Sequence, residues 1–170
     1  LHKLEQLGDY VDYLRENPPE VKELYHDLLI NVTSFFRDPK VFETLKKRVF
    51  PAIMENRASE ETVRIWVPGC SSGEEAYSIA IVCAEFFGQA AFRPPIKIFA
   101  TDVNDTLIDK ARTGIYPPNI AADVAPGRLR RFFTRVENGY QISKTIRDMC
   151  IFARQDMVKD PPFSRLDLIS

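Results

Sequence analysis

A turn of small residues followed by two acids is the feature of this sequence best suited to binding a ligand. The stretch "VPGCSSGEEAY", Val67 to Tyr77, follows an apolar run and leads into apolar residues at helical spacing. Strand-to-helix turns with glycine commonly bind phosphate through backbone N–H groups. Here Gly69 and Gly73 form G-x-x-x-G, not the G-x-G-x-x-G of dinucleotide sites. Because Glu74 and Glu75 would repel a pyrophosphate, the sequence favours a ligand without phosphate.

A further acid, Asp102, ends the next apolar run, "IKIFATD". In nucleotide-binding sheets, an acid at the end of a strand accepts hydrogen bonds from ribose hydroxyls. Ribose with positive charge and no phosphate describes S-adenosylmethionine, which carries a sulfonium and an ammonium group. The spacing also allows a simpler interpretation, in which the glycines only turn the chain. Glu74 and Glu75 would then be solvated acids at a helix N-terminus.

The upstream stretch "NVTSFFRDP" combines adjacent aromatic residues with polar neighbours. It can be interpreted as a surface loop that exposes Arg37. Alternatively, it is a polar segment laid across the ligand, with Arg37 guiding an anionic substrate, since a guanidinium stays charged and pairs well with carboxylates.

Alternating strands and helices are needed to position these residues. Apolar patterns predict strands at 63–69 and 96–102, followed by helices at 74–87 and 104–112. Short connections between such elements imply βαβ units and a parallel sheet, so the predicted fold class is α/β. Three helices are predicted before the first strand, at 1–14, 20–29 and 39–55, the last with Asp38 as its cap.

The alternation changes after Gly114. Strands at 140–143 and 149–154 lie close in sequence and predict a small inserted antiparallel pair, and "RLDLIS" predicts another buried parallel strand. The sequence stops there, so we expect the C-terminal strands of the sheet to be missing. A short basic helix is predicted in "PGRLRRFFTR", either as a solvated face or as a contact for an acidic partner. Its basic residues are Arg128, Arg130, Arg131 and Arg135.

Composition and charge exclude several classes of protein. The 170 residues carry a net charge of −1, so bulk electrostatics indicate neither nucleic acid nor an anionic membrane as a partner. No run of about 18 apolar residues and no signal peptide is present, which predicts a cytoplasmic protein without direct membrane insertion. The three cysteines are widely spaced, so neither disulfides nor a metal site is predicted. Cys70 and Cys83 are predicted to be packing residues.

Four blocks of the sequence resemble the CheR family of S-adenosylmethionine-dependent chemoreceptor methyltransferases. They are "NVTSFFRDPKVF", "RIWVPGCSSGEEAYSIAI", "IFATDVNDTLIDKARTGIY" and "FARQDMVKDPPFSRLDLIS". The fourth is especially similar to the CheR portion of fused CheB–CheR proteins. The resemblance implies a Rossmann-like class I methyltransferase with N-terminal helices and a small inserted antiparallel β-subdomain. The expected boundaries are 1–56 for the helical segment, 57–170 for the methyltransferase domain and about 128–154 for the insertion.

The resemblance also implies an activity, in which glutamate side chains of chemoreceptors receive the methyl group and S-adenosylhomocysteine is the product. The implied partners are the cytoplasmic helical region of chemoreceptors and a fused or partner CheB methylesterase. The cofactor-binding prediction comprises Asn31, Thr33, Arg37, Gly69, Gly73, Glu75, Asp102, Asp156 and Met157. Arg37 is also predicted to be catalytic. One alternative is a non-catalytic module that binds S-adenosylmethionine or scaffolds partners, and another is a nicotinamide-dependent oxidoreductase, which the two acids disfavour.

Overall fold

The computed structural model describes residues 7–28, 32–55, 61–88 and 94–170. The chain divides into two units, residues 1–31 and 32–170. The first contains helices α1, Leu7–Glu16, and α2, Pro18–Leu28. Both helices were predicted, although α2 begins two residues before the expected Glu20. The domain boundary expected near residue 56 stays a prediction. No described helix combines the length and apolar character that crossing a membrane requires.

A four-stranded parallel sheet forms the centre of the second unit. Its strands are β1, Val63–Pro68, β2, Ile96–Asp102, β6, Cys150–Arg154, and β7, Leu168–Ile169, in the order β6-β2-β1-β7. Helix α5, Glu74–Phe87, follows β1, and α6, Asp105–Thr113, follows β2. The α/β fold and the strand in "RLDLIS" are therefore confirmed, although Ile169 in that strand is exposed.

A three-stranded antiparallel sheet lies in the sequence between β2 and β6. Its strands are β3, Ile115–Tyr116, β4, Phe133–Val136, and β5, Gly139–Ile142, in the order β3-β5-β4. Between and after them lie a 3-10 turn, Pro118–Ala122, helix α7, Pro126–Phe132, and helix α8, Lys144–Arg147. Gly139 has φ 145°, and a Cβ there would collide with the carbonyl oxygen of Tyr116. Glycine is therefore required where β5 approaches β3.

The predicted antiparallel pair of 140–143 with 149–154 is wrong. Residues 150–154 form β6, which pairs in parallel with β2. The single turn of α8 redirects the chain after β5 towards the parallel sheet. The N–H of Ile98 in β2 then donates to the carbonyl oxygen of Met149 at 2.8 Å. The side chain of Phe152 then packs on Tyr77, with ring centroids 5.2 Å apart, and Phe152 is buried. The basic helix is also shorter than predicted, since Phe133 begins β4.

The helix predicted at 39–55 is continuous but not uniform. It consists of α3, Pro39–Thr44, a π-helical turn, Leu45–Val49, and α4, Phe50–Glu55. Pro39 begins the helix as predicted, whereas the Asp38 side chain makes no capping hydrogen bond. Phe42 and Phe50 are the buried aromatic residues of this helix, while Val41 is exposed.

The segment before α3, residues 32–38, is held by contacts between aromatic rings and by an arginine that stacks on one of its phenylalanines. The Phe35 ring lies 4.8 Å from that of Tyr116 and 5.5 Å from that of Phe133, both in the antiparallel sheet. The Arg128 guanidinium stands 4.1 Å above the Phe36 ring. It also donates to both carboxylate oxygens of Glu85 on α5, at 2.8 and 3.0 Å. Arg128 is therefore a structural residue that joins α7, α5 and this segment, not part of a solvated basic face.

The carboxyl group of Glu85 has a lowered pKa. Burial acts to raise it, but the two hydrogen bonds and the charge of Arg128, together with the Lys46 ammonium 3.5 Å away, outweigh that effect. The ion pair therefore stabilises the folded state while Glu85 is ionised.

We expect Glu85→Gln to lower stability by about 1–3 kcal/mol at neutral pH, as for a hydrogen bond to a charged group. Since the folded-state pKa lies below the usual 4.5, the pair contributes fully above pH 4.5. That contribution is lost as the pH falls through the folded-state pKa. The difference in Tm between the parent and Glu85→Gln, followed by circular dichroism, should therefore shrink below pH 4.5.

Glu43→Gln is the matched control, because its ion pair with Lys47 is solvent-exposed. We expect it to change stability by less than about 1 kcal/mol. A Glu85→Gln difference that stays constant as the pH falls would contradict the assigned role of the pair.

Candidate functional site

The glycine turn joins the end of β1 to the start of α5, at the carboxyl edge of the parallel sheet. Three of its residues have positive φ angles: Gly69 at 64°, Ser71 at 50° and Gly73 at 93°. A Cβ at Gly69 would meet nothing within 4 Å, so the backbone there faces open space. A Cβ at Gly73 would lie 2.9 Å from the Ala111 Cβ and 3.1 Å from the Tyr116 hydroxyl. Gly69 thus leaves room for a ligand, whereas Gly73 leaves room for protein atoms.

Asp102 lies beside this turn, as predicted. Its buried carboxylate accepts the N–H of Ser71 at 2.8 Å through Oδ2 and the N–H of Asn104 at 3.0 Å through Oδ1. Each carboxylate oxygen can accept a further hydrogen bond. Asp102 therefore shapes the turn and still has lone pairs for hydroxyl groups of a ligand.

The two acids at the start of α5 have different environments. Glu74 is buried, and both of its carboxylate oxygens lie within hydrogen-bond distance of the Ser72 hydroxyl, at 2.9 and 2.8 Å. Burial raises the pKa of Glu74, although the Ser72 hydroxyl acts to lower it. The interpretation of Glu74 as a solvated acid is therefore wrong. Glu75 is only partly buried and accepts a hydrogen bond from the Ser170 hydroxyl at 2.5 Å.

The polar segment before α3 rests on α5 one turn beyond these acids. The N–H of Phe36 donates to the Ser78 hydroxyl at 3.0 Å, and that hydroxyl donates to the carbonyl oxygen of Glu74 at 2.7 Å. Thr33 is half-buried, and the exposed Arg37 guanidinium donates to the carbonyl oxygen of Val32 at 3.2 Å. Within the described part of the chain, Arg37 makes no ion pair. Asn31 lies outside the described residues.

Asp156 and Met157 follow β6, the strand on the other side of β2. Asp156 accepts the N–H of Val158 at 3.0 Å, and this hydrogen bond, together with nearby Lys159, lowers the pKa of its carboxyl group. Met157 is exposed. Gln155, immediately before them, donates its N–H to the carbonyl oxygen of Asp102 at 2.9 Å, which places this segment at the same edge as the turn.

Two buried side-chain atoms among the described residues lack a hydrogen-bond partner. They are the hydroxyl oxygen of Ser71 and the amide oxygen of Gln155. Both residues are bonded through their backbone to Asp102, one to its carboxylate and one to its carbonyl group. Buried polar atoms are normally paired, so these two atoms, one on each side of Asp102, are hydrogen-bonding groups that a polar ligand could satisfy.

The cysteine of the turn is not a nucleophile at neutral pH. Burial raises the pKa of the Cys70 thiol to about 12, and the nearby carboxylates of Asp102, Glu74 and Glu75 add to this effect. Cys70 and Cys83 are both buried, which agrees with the packing role predicted for them. In the described ranges, no cluster of three or more acidic, histidine or cysteine residues is placed to hold a metal ion.

A cavity of about 420 Å³ lies at the opposite edge of the sheet. Its lining includes Ile96, the first residue of β2, and Phe87, the last residue of α5. Asp102 and Glu74 are at the other ends of the same two elements. The cavity is therefore separate from the site formed by the turn.

The family assignment follows from residues 31–170, which include every predicted site residue. They match the family model described as CheR methyltransferase, SAM binding domain. The chain belongs to this family. The cofactor predicted from the turn, S-adenosylmethionine, is the one that the family description names.

The chain is also similar to individual proteins. The chain is 39% identical over its whole length to an uncharacterized 104.1 kDa protein in the hypE 3′ region of Rhodobacter capsulatus, of which it covers 18%. It is 29% identical to a chemotaxis protein methyltransferase of Borreliella burgdorferi and 30% identical to one of Salmonella typhimurium. The alignments cover 95% and 98% of this chain but only 59% and 53% of those two proteins.

The described residues fit this cofactor. Carboxylates suit an ammonium group and ribose hydroxyls, and the open space at Gly69 lets a ligand approach the backbone. Sequence reasoning missed Ser71, Ser72, Tyr116 and Gln155, which contact the turn or Asp102. Only Ser71 and Ser72 could have been found from the sequence, because they lie inside the glycine motif.

We expect alanine to be tolerated better at Gly69 than at Gly73. Gly69→Ala adds the left-handed backbone penalty of about 1–2 kcal/mol. Gly73→Ala adds a similar penalty and about 1–3 kcal/mol more, since its Cβ would overpack Ala111 and Tyr116. Urea unfolding of both variants measures the difference, and equal losses of stability would contradict this account of the turn.

Proposed function

We propose that this chain is the cofactor-binding part of a protein-glutamate O-methyltransferase, which esterifies glutamate side chains of chemoreceptors. The observation that carries the proposal is the turn with open space at Gly69 and the buried Asp102 beside it, in a chain of the CheR family. The names of the relatives in Borreliella burgdorferi and Salmonella typhimurium, both chemotaxis protein methyltransferases, supply the substrate class.

The reaction requires little acid–base chemistry from the protein. S-adenosylmethionine supplies a methyl group on a sulfonium, which a carboxylate oxygen can attack directly. A glutamate side chain has an ordinary pKa of about 4.3 and is already ionised at pH 7, so no general base is needed. The protein instead aligns the reacting groups, which can contribute roughly 7–11 kcal/mol in favourable systems.

Each part of the site has a proposed task. Asp102 accepts the ribose hydroxyls, while Glu75 attracts the ammonium group. Gly69 and Gly73 give the turn its shape. Asp156 and Met157 lie at the adenine, and Asn31 and Thr33 complete the cofactor site from the segment before α3.

Arg37 is proposed to hold the substrate carboxylate. A glutamate entering this site approaches three carboxylates, those of Glu74, Glu75 and Asp102, which would repel it. An exposed guanidinium on a segment anchored to α5 can offset this repulsion and orient the incoming carboxylate. The hydrogen bond of Arg37 to the carbonyl oxygen of Val32 keeps its side chain close to that segment.

The wider setting belongs to the same proposal. We infer that the substrate is the cytoplasmic helical region of chemoreceptors and that the protein acts in the cytoplasm. A CheB methylesterase is proposed as a fused or separate partner. The support for fusion is the Rhodobacter capsulatus relative. The match to this chain takes up only 18% of the length of that relative, which leaves room in it for further domains.

We expect Asp102→Ala to weaken binding of S-adenosylhomocysteine at least tenfold, because both its ribose hydrogen bonds and its bond to Ser71 are lost. Isothermal titration of the full-length protein measures this. Asp105→Ala is the control, because Asp105 is exposed and takes part in a long, solvent-exposed ion pair with Arg154, at 3.5 Å. The dissociation constant of S-adenosylhomocysteine from this variant should equal that of the parent. Failure of the unmodified protein to bind, or an unchanged constant for Asp102→Ala, would contradict the proposal.

Arg37→Ala is expected to lower methyl transfer to receptor glutamates at least tenfold, with a change in Tm of no more than about 2 °C, because the side chain is exposed. Transfer of a radiolabelled methyl group to receptor fragments measures the rate. Arg48→Ala removes another exposed arginine and serves as the control. Equal rates for the two variants would rule out the role of Arg37. Cofactor binding without any methyl transfer by the unmodified protein would instead indicate a non-catalytic module.

A further inference from the structure

The backbone conformation of the glycine turn depends on interactions with the residues around it. Gly69, Ser71 and Gly73 all have positive φ angles, and Ser71 is not a glycine. Residues held in such conformations persist only when surrounding interactions determine them. Glycine in addition accepts both signs of φ, so the peptide between Ser72 and Gly73 is free to rotate unless both of its polar groups are bonded.

Both polar groups of that peptide are in fact bonded. The N–H of Gly73 donates to the carbonyl oxygen of Cys70 at 2.9 Å, within the turn. The carbonyl oxygen of Ser72 accepts the hydroxyl of Tyr116 at 2.7 Å. Tyr116 belongs to β3 and therefore to the antiparallel sheet, not to the parallel sheet that carries the turn.

The position of Tyr116 is itself fixed by its surroundings. Its side chain is 1% exposed, with edge contacts to Phe35 at 4.8 Å and to Tyr77 at 6.2 Å. Its hydroxyl would lie 3.1 Å from a Cβ at residue 73, so the glycine there also makes room for Tyr116. The opposite end of the turn is held by Asp102 through the N–H of Ser71.

We propose that Tyr116 is a positioning residue for the cofactor, whose hydroxyl locks the Ser72–Gly73 peptide in the orientation that the cofactor site requires. Without the hydroxyl, the buried carbonyl of Ser72 loses its partner and the peptide can rotate. The N–H of Ser71 then shifts relative to the Asp102 carboxylate that it bonds, and the open backbone at Gly69 moves away from the ligand. The inference rests on the proposed function, since it assumes that S-adenosylmethionine binds at this turn.

The chain offers a matched control for Tyr116→Phe. Tyr77 is also 1% exposed, and its hydroxyl donates to the carbonyl oxygen of Ala111 at 2.8 Å. Each substitution therefore removes one buried tyrosine hydroxyl from one backbone carbonyl. Of these two hydroxyls, only that of Tyr116 bonds to the turn. A purely structural effect would therefore be the same in both variants, whereas an effect on the cofactor would be confined to Tyr116→Phe.

The experiment compares the full-length protein with both variants. Thermal unfolding should show similar losses of Tm. Isothermal titration with S-adenosylhomocysteine should show a dissociation constant raised roughly tenfold for Tyr116→Phe and within twofold of the parent for Tyr77→Phe. In methylation assays, Tyr116→Phe should raise KM for S-adenosylmethionine about tenfold and leave kcat within twofold, because saturating cofactor restores the orientation of the turn.

Equal dissociation constants for the two variants would overturn the role of Tyr116 and leave the proposed function intact. If the unmodified protein binds no S-adenosylhomocysteine, the proposed function fails, and the inference with it. Should Tyr116→Phe not fold, hydrogen exchange on the unmodified protein decides the matter. Adding S-adenosylhomocysteine should then slow exchange at 70–74 and 115–116 but not at 144–147, and the absence of slowing at 115–116 would overturn the inference.

Discussion

The interactions of Asp102 hold the functional edge of this molecule together. Its carboxylate bonds to the turn after β1 through Ser71 and to the start of α6 through Asn104, while its carbonyl accepts the N–H of Gln155 after β6. Two strands, a helix and the glycine turn thus converge on one buried acid. Hydrogen bonds to a carboxylate are stronger than those between neutral groups. The bonds from Ser71 and Asn104 to Asp102 therefore favour this conformation of the turn and of the start of α6.

The remaining structure supports this edge from two directions. The parallel sheet presents the ends of β1 and β2 side by side, as the pairing of Pro68 with Thr101 shows. Tyr116 of the antiparallel sheet bonds to the turn before α5 and packs on Phe35 of the segment before α3. The ion pair of Arg128 with Glu85 joins α7 to α5. The glycine turn and the segment with Arg37 therefore share a common support, although they lie far apart in sequence.

The sequence predicts the parts of this fold that local patterns determine. The apolar run of β1 and the glycine at the end of α6 are such patterns, and Gly114 indeed has φ 61° at the C-cap. The sequence also predicts that Gly69 and Asp102 lie at the carboxyl ends of neighbouring strands, and the structure has them there, Gly69 directly after β1 and Asp102 as the last residue of β2.

The errors arose where distant residues decide the structure. Whether residues 150–154 pair with β5 or with β2 depends on burial of Phe152 against Tyr77, which no local pattern reveals. The burial of Glu74 was likewise not foreseen, since acids in the first turn of a helix are usually solvated, whereas here both carboxylate oxygens lie within hydrogen-bond distance of the Ser72 hydroxyl. The two-residue strand β3 is too short to show periodicity, so the contact of Tyr116 with the turn could not be foreseen.

The raised pKa of Cys70 has a chemical consequence for a protein that handles an electrophilic methyl group. With a pKa of about 12, only about one thiol in 10⁵ is ionised at pH 7. Thiolates, not thiols, react with alkylating agents and oxidants. The same burial and the same carboxylates that surround the sulfur atom of Cys70 in the turn therefore protect it from alkylation and from oxidative damage.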